Sequence, residues 1–173
     1  IDEFDGAYMM TRLVDYIVEH LSQQIKAGCD TVQVFDSWAS DLGEEHIIPY
    51  CYEPTAQIVE RLRALHPDVG IIVFPRLIGE EINNFSKYVN ADCISLSDDM
   101  KTDWILKRMG SQCLQGGIPP QVLLSERKEE IIRGTVPMIR QMKDCAYVVN
   151  LAHGINKETP VSYTHLRAHE TQR

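Results

Sequence analysis

Apolar residues recur along this chain in two rhythms, and their alternation predicts the architecture. From Met9 to Lys26, the residues Leu13, Ile17, Leu21 and Ile25 stand at helical spacing, with Gly28 just past the expected helix end. Thr31 to Asp36 carries Val32, Val34 and Phe35 in a run too apolar for an exposed edge, which predicts a buried strand. Trp38 to Glu53 reads as a loop. Pro54 then opens a helix in its favoured first turn, and Ile58, Leu62 and Leu65 recur along it until Pro67. Gly70 to Phe74 is strand-like, Glu80 to Val89 helical, Cys93 to Leu96 strand-like, and Asp103 to Met109 helical. A short strand is expected at Cys113 to Gln115 and a helical region at Glu126 to Met142, where Pro137 should kink or restart the helix. Ala146 to Leu151 is the last expected strand.

The order is one helix, four strand–helix units and a final strand. Such alternation implies a parallel sheet in an α/β fold. Periodicity alone leaves open whether five such strands form an open doubly wound sheet or part of a closed barrel. No low-complexity stretch, repeat beyond the strand–helix unit or linker marks a second domain, so residues 1–160 read as part of one domain.

Composition narrows the class. Hydrophobic residues make up 44% and charged residues 24% of the 173, as in an ordinary globular domain. A closed α/β barrel usually needs about 250 residues. The net charge of −8 disfavours non-specific contact with nucleic acid or an anionic membrane, and any polyanionic ligand must be held by local donors. No apolar run reaches the roughly 18–20 residues of a membrane span. The five cysteines include no Cys-x-x-Cys pair, which predicts buried free thiols in a reducing compartment rather than a zinc knuckle or disulfide framework. The chain opens on Ile1 and an acidic stretch, which is neither a signal peptide nor an initiator methionine and is expected of a fragment. Val161 to Thr171 resembles an in-frame translation of a sequencing adapter, so residues 161–173 are expected to be a non-native tail. His165 and His169 in that tail are four apart, but Leu166 stands where a zincin helix has glutamate, and no metal site is expected there.

Candidate chemistry gathers where expected strands end. Asp36 and Ser37 follow the first strand; each can cap the next loop or face a ligand. Phe35 reads as core rather than ligand contact, and Trp38 suits either role. Arg76, just after Val73-Phe74-Pro75, can present a bidentate fork to a carboxylate or lie solvated. The paired carboxylates of Ser97-Asp98-Asp99 can bind a metal or share a proton, but the triplet reads better as solvated loop acids or a helix cap before Lys101. Gly116 and Gly117 allow positive φ or close backbone approach, without a nucleotide-binding glycine pattern. His153, between Ala152 and Gly154, is either a hydrogen-bonded structural residue or a donor and proton carrier near neutral pH.

Three segments, in order, carry a resemblance: Phe35-Asp36-Ser37-Trp38-Ala39, Leu114-Gln115-Gly116-Gly117-Ile118-Pro119, and Asn150-Leu151-Ala152-His153-Gly154-Ile155. Together with the helix ending Ala27-Gly28-Cys29-Asp30, they resemble the carboxyl-terminal half of the uroporphyrinogen decarboxylases. The departures are Gly117 for the usual Asn, Pro119 for Asp, Ala152 for Gly, and Ser97 for an Asp. The resemblance implies an incomplete (β/α)8 TIM barrel holding about the last five strands. It implies a cytoplasmic, homodimeric parent in haem biosynthesis that converts uroporphyrinogen III to coproporphyrinogen III with loss of four CO2 and without a cofactor. Ser37 and His153 would contact substrate carboxylates, with Phe35 and Arg76 as further candidates.

The family's catalytic aspartate, which stabilises the protonated pyrrole, would lie upstream, so no catalytic residue is expected here and Asp36 does not replace it. Without that carboxylate the fragment is expected to be inactive alone, and with an open seam to aggregate or fold marginally. Two other readings stand beside this one. A corrinoid-dependent methyltransferase of the same superfamily would need a zinc-binding His/Cys set, and no His-x-Cys pair exists. A non-catalytic tetrapyrrole-binding module would bind without turnover.

Overall fold

A computed structural model describes residues 3–163. The chain forms α1 (Glu3–Lys26), β1 (Thr31–Asp36), α2 (Glu44–Ile47), α3 (Glu53–Leu65), β2 (Gly70–Pro75), α4 (Ile82–Tyr88), β3 (Cys93–Leu96), α5 (Thr102–Met109), β4 (Cys113–Gly116), α6 (Lys128–Gln141) and β5 (Tyr147–Val148). Short 3-10 turns and one π-helical turn, Ile48–Tyr52, join them. The strand order is β1-β2-β3-β4-β5 in one five-stranded sheet. The β1–β2, β2–β3 and β4–β5 pairings are parallel. This order has no reversal, whereas a doubly wound sheet switches direction at its first strand. The α/β class is as expected, and sequential winding is the pattern of a (β/α)8 barrel, of which the chain covers only part.

The chain divides into two compact units, one up to Ser95 and one from Leu96 onward. In the first, β1 and β2 pair over six residues, from Thr31 with Gly70 to Asp36 with Pro75. Val32, Val34, Ile71 and Val73 are buried, as are Ile58, Val59 and Leu62 of α3. Arg61 of α3 donates to Asp15 of α1 at 2.8 Å, and His66 meets Ser22 at 3.0 Å. The buried stripe of α1 is Val14, Val18 and Leu21; Leu13 is half exposed, although the helical spacing had placed it in the core. Successive residues lie about 100° apart around a helix, so Leu13 and Val14 point in different directions, and Val14 takes the buried one. Leu65 at the end of α3 is likewise exposed. So are Tyr8, Met9 and Tyr16 on α1.

In the second unit, α6 runs through Pro137 as one helix, so no restart occurs. Proline removes one backbone donor but leaves its own carbonyl to the helix. The last strand is shorter than expected, only Tyr147–Val148, and Leu151 rejoins the ladder as a single bridge to Ile118. Thr159 is buried, and among the described residues its hydroxyl has no hydrogen-bond partner. A buried unpaired hydroxyl costs about 1–3 kcal/mol. Thr159→Val should therefore raise stability by about 1 kcal/mol in urea unfolding, and an unchanged or lower midpoint would contradict this.

The cysteines are all free, but not all are buried: Cys51 and Cys93 are, Cys113 and Cys145 are half-buried, and Cys29 is exposed in the turn after α1. Among the described residues no helix is long and apolar enough to cross a membrane. His165 and His169 lie outside the described residues.

Candidate functional site

In the first unit, β1 and β2 deliver side chains to the same end because they are parallel and in register. Asp36 and Pro75 are partners at the last rung, so Ser37 and Arg76 are the next residues on neighbouring chains. The Arg76 N–H donates to the Asp36 carbonyl at 3.0 Å, and its Nη1 reaches the Ser37 carbonyl at 3.5 Å. The structure therefore brings Ser37 and Arg76 together. Ser37 is exposed and Arg76 half-buried. Phe35 is not core: it is 64% exposed and meets Phe74 edge-on, with ring centroids 6.2 Å apart. Alternation along β1 explains this, since Val34 and Phe35 must point to opposite faces and Val34 holds the buried one. Trp38 is also exposed.

Asp36 sits between these groups. Burial raises its pKa, and hydrogen bonds from the Cys51 thiol and the Trp38 backbone partly offset that rise. Cys51 is itself pushed up by burial and by the neighbouring carboxylate, so the thiol stays protonated and donates. Next to Cys51, Tyr52 donates to the Glu81 carboxylate at 2.9 Å and to the Glu81 carbonyl at 3.1 Å. Burial and that carboxylate push the phenol up as well. Asn84 adds a donor to the same Glu81 oxygen at 3.2 Å. Tyr52, Glu81 and Asn84 border a cleft of about 700 Å³ between the loop after β1 and the segment after β2. Leu77, which also lines it, holds φ at 57°, a strained conformation for a residue with a Cβ. The residues Cys51, Tyr52 and Glu81 were not singled out by sequence; a five-residue turn gives no periodic signal.

In the second unit, the β4–β5 ladder opens for two residues on each chain. Gln115 pairs with Val148, then Gly116 and Gly117 face Val149 and Asn150, and pairing resumes at Ile118 with Leu151. Both glycines hold positive φ, 79° and 83°. The Gly116 carbonyl accepts from the Tyr147 hydroxyl at 2.6 Å, and the Gly117 N–H donates to the Leu96 carbonyl at 3.0 Å. Asn150 turns its side chain to accept the Leu151 N–H at 2.9 Å. Beyond this point Ala152 is buried, while His153 is exposed and its ring meets the Gly154 carbonyl at 3.3 Å. It is not a buried structural histidine. Ser97 is buried, and Asp98 and Asp99 are exposed loop acids.

The open rung explains the departure at Gly117. Asparagine, the residue the resemblance expects, is the other side chain that tolerates positive φ. Gly117→Ala should cost about 1–2 kcal/mol for that backbone. The added Cβ would also run into the Met138 methyl, which can move aside because it ends a flexible side chain. Urea midpoints should rank Gly117 first, Asn next and Ala last; Ala at or above Gly would refute the strain argument.

The family model Uroporphyrinogen decarboxylase (URO-D) matches residues 6–167. Relatives named uroporphyrinogen decarboxylase include one from Cereibacter sphaeroides, 31% identical over 152 residues, which is 87% of this chain and 44% of that protein. One from Orientia tsutsugamushi is 34% identical over 154 residues, covering 89% of this chain and 45% of the relative. One from Paracoccus denitrificans is 32% identical over 153 residues, covering 88% and 44%. The chain thus spans less than half the length of these curated relatives.

Proposed function

The chain belongs to the uroporphyrinogen decarboxylase family, and from that premise we propose that it supplies the carboxyl-terminal strands of an enzyme converting uroporphyrinogen III to coproporphyrinogen III. The observation that carries this reading is the family match over residues 6–167, joined to Ser37 and Arg76 standing side by side at parallel strand ends. The substrate is an octacarboxylate on a macrocycle of four pyrrole rings joined by saturated methylene bridges. Ser37 would donate a hydrogen bond to one substrate carboxylate and Arg76 a fork to another. A charge-assisted bond of this kind matters more here because a chain of net charge −8 does not attract the substrate at long range. Phe35, exposed beside them, offers a ring face to the macrocycle. His153 would serve a further carboxylate, for which its exposed and barely engaged ring is suited.

The chemistry needs no cofactor. A proton added to a pyrrole carbon makes the ring a cationic electron sink; the acetate C–C bond breaks, CO2 leaves, the resulting methylene carbon is protonated to a methyl group, and the ring carbon gives its added proton back, so each acetate takes up one proton net. The acid that stabilises the cation would come from the part of the relatives that this chain does not match, so the chain alone is expected to be inactive. In this reading the parent works as a cytoplasmic homodimer, without nucleic acid or membrane partners.

The test joins the unmatched leading part of the Cereibacter sphaeroides relative to this chain and assays coproporphyrinogen formation after oxidation and chromatography. Stepwise loss of CO2 supports the reading. A folded chimera that binds uroporphyrin without releasing CO2 supports the non-catalytic module instead. A folded chimera that does neither overturns both.

A further inference from the structure

The cleft between the loop after β1 and the segment after β2, about 700 Å³, has the volume of a small-molecule pocket. Leu42, Ile48 and Ile78 give it an aliphatic wall, and Tyr52 and Tyr88 an aromatic one. Ile48 is 47% and Tyr88 49% exposed, so apolar surface that a ligand would cover stands in water. The Tyr52 ring is held edge-on against Phe85, with centroids 5.2 Å apart, and tilts against Tyr88 at 5.7 Å. The aromatic wall is therefore in place before anything binds.

The charge of the cleft has one sign. Glu44 and Glu81 line it, and among the described residues that line it none is lysine, arginine or histidine. The arginines of this unit are engaged elsewhere: Arg12 and Arg61 with Asp15, Arg63 with Asp92, and Arg76 with the Ser37 carbonyl. Glu81 is also oriented, because its Oε2 accepts from the Tyr52 hydroxyl at 2.9 Å and from the Asn84 amide at 3.2 Å. Neutral donors hold a carboxylate without cancelling its charge. Such a lining repels an octacarboxylate, so the cleft calls for a ligand of the opposite sign.

We propose that this cleft is a second binding site, for a small organic cation: a primary amine on an apolar, ring-bearing stem. The ammonium would face Glu44 and Glu81, while the stem covers Ile48 and Ile78 and meets the Tyr88 ring. The inference goes beyond the decarboxylase reading and does not rest on it.

The experiment titrates the full chain with phenylbutylamine, with phenylbutanol as the uncharged isostere and phenylbutyrate as the anionic counterpart, by ligand-observed NMR at low ionic strength. The amine should bind about three- to tenfold more tightly than the alcohol, as a partly exposed charge contact provides, and the butyrate least. Both glutamates are exposed, so Glu44→Gln with Glu81→Gln should fold. That double variant should bring the amine down to the alcohol's affinity and leave the alcohol unchanged. Ile48→Lys places a resident ammonium at the wall and should weaken the amine at least about tenfold. No amine binding, equal affinity for amine and alcohol in the wild-type chain, or an amine affinity that survives the double substitution would overturn the proposal. Uroporphyrin that displaces the amine competitively would put the macrocycle in this cleft and overturn it as well. A chain that binds the amine but not uroporphyrin would support this site and remove the decarboxylase reading alone.

Discussion

Phe85→Ala should destabilise the chain by about 3–5 kcal/mol, the cost of deleting a fully buried aromatic side chain from a core that only partly collapses. Phe85 is 1% exposed and is among the largest fully buried side chains of the molecule. Its ring is the wall against which Tyr52 stands. Edge-to-face pairs contribute about 0.5–1.5 kcal/mol beyond burial, so the loss should lie toward the upper end of the range. A domain of ordinary stability has about 5–15 kcal/mol in total, and this chain exposes Tyr8, Met9, Leu13 and Tyr16 on α1. If the chain stands at the lower end of that range, Phe85→Ala should leave only about 0–2 kcal/mol, with between a few per cent and half of the population unfolded at room temperature. Urea titration followed by circular dichroism measures this, and Phe85→Leu, which keeps most of the volume, should cost below about 1.5 kcal/mol. A loss under about 1 kcal/mol for Phe85→Ala would mean that the wall behind Tyr52 is not the rigid element described above.

How far the sequence discloses this fold depends on the length over which each signal accumulates. β1 and β3 match their expected limits, Thr31–Asp36 and Cys93–Leu96, because each is a short apolar run dense enough to stand out from its polar flanks. The start of α3 is legible because Pro54 at its first turn has no donor to lose. The early start of α1, by contrast, leaves no trace, since Glu3 to Tyr8 carries no apolar period and Gly6 argues against a helix. The stretch from Trp38 to Glu53 reads as a loop but is largely helical, because a four-residue helix and a five-residue π-turn are shorter than any window in which periodicity can be counted. Ala146 to Leu151 reads as one strand since Val148 and Val149 are apolar; the pairing is lost at Val149 and Asn150 because they face two glycines.

The site divides along the same line. Ser37 and Arg76 are legible as residues at strand ends, and parallel pairing is what makes them neighbours. Cys51 and Tyr52 are invisible to such reasoning, because their meaning comes from Asp36, fifteen positions back, and Glu81, twenty-nine positions ahead. Phe35 shows the opposite error: an aromatic residue in a strand looks like core until the register assigns Val34 to the inner face.

The register also sets the second large expected effect. Removing one hydrogen bond to a charged carboxylate costs about 1.5–3 kcal/mol, so Ser37→Ala and Arg76→Ala should each weaken uroporphyrin binding by about 10- to 150-fold. His153→Ala belongs to the same comparison, since its imidazole is proposed for a further carboxylate. Arg76→Lys keeps the charge but loses the planar fork, and should recover only part of the affinity. Arg76→Ala should also flatten the salt dependence of binding, because a partly exposed charge is screened by added salt while the Ser37 hydroxyl is not. The Arg76 guanidinium also reaches the Ser37 carbonyl, 3.5 Å away, so removing it should disturb the turn that presents Ser37. The double variant should accordingly lose less than the two single losses combined, by about 0.5 kcal/mol or more, as contacting residues do. Isothermal titration at two salt concentrations measures all of these terms. Strict additivity would separate the two side chains into independent sites, and wild-type affinity in Ser37→Ala, Arg76→Ala and His153→Ala would remove the carboxylate-binding role from the strand ends altogether.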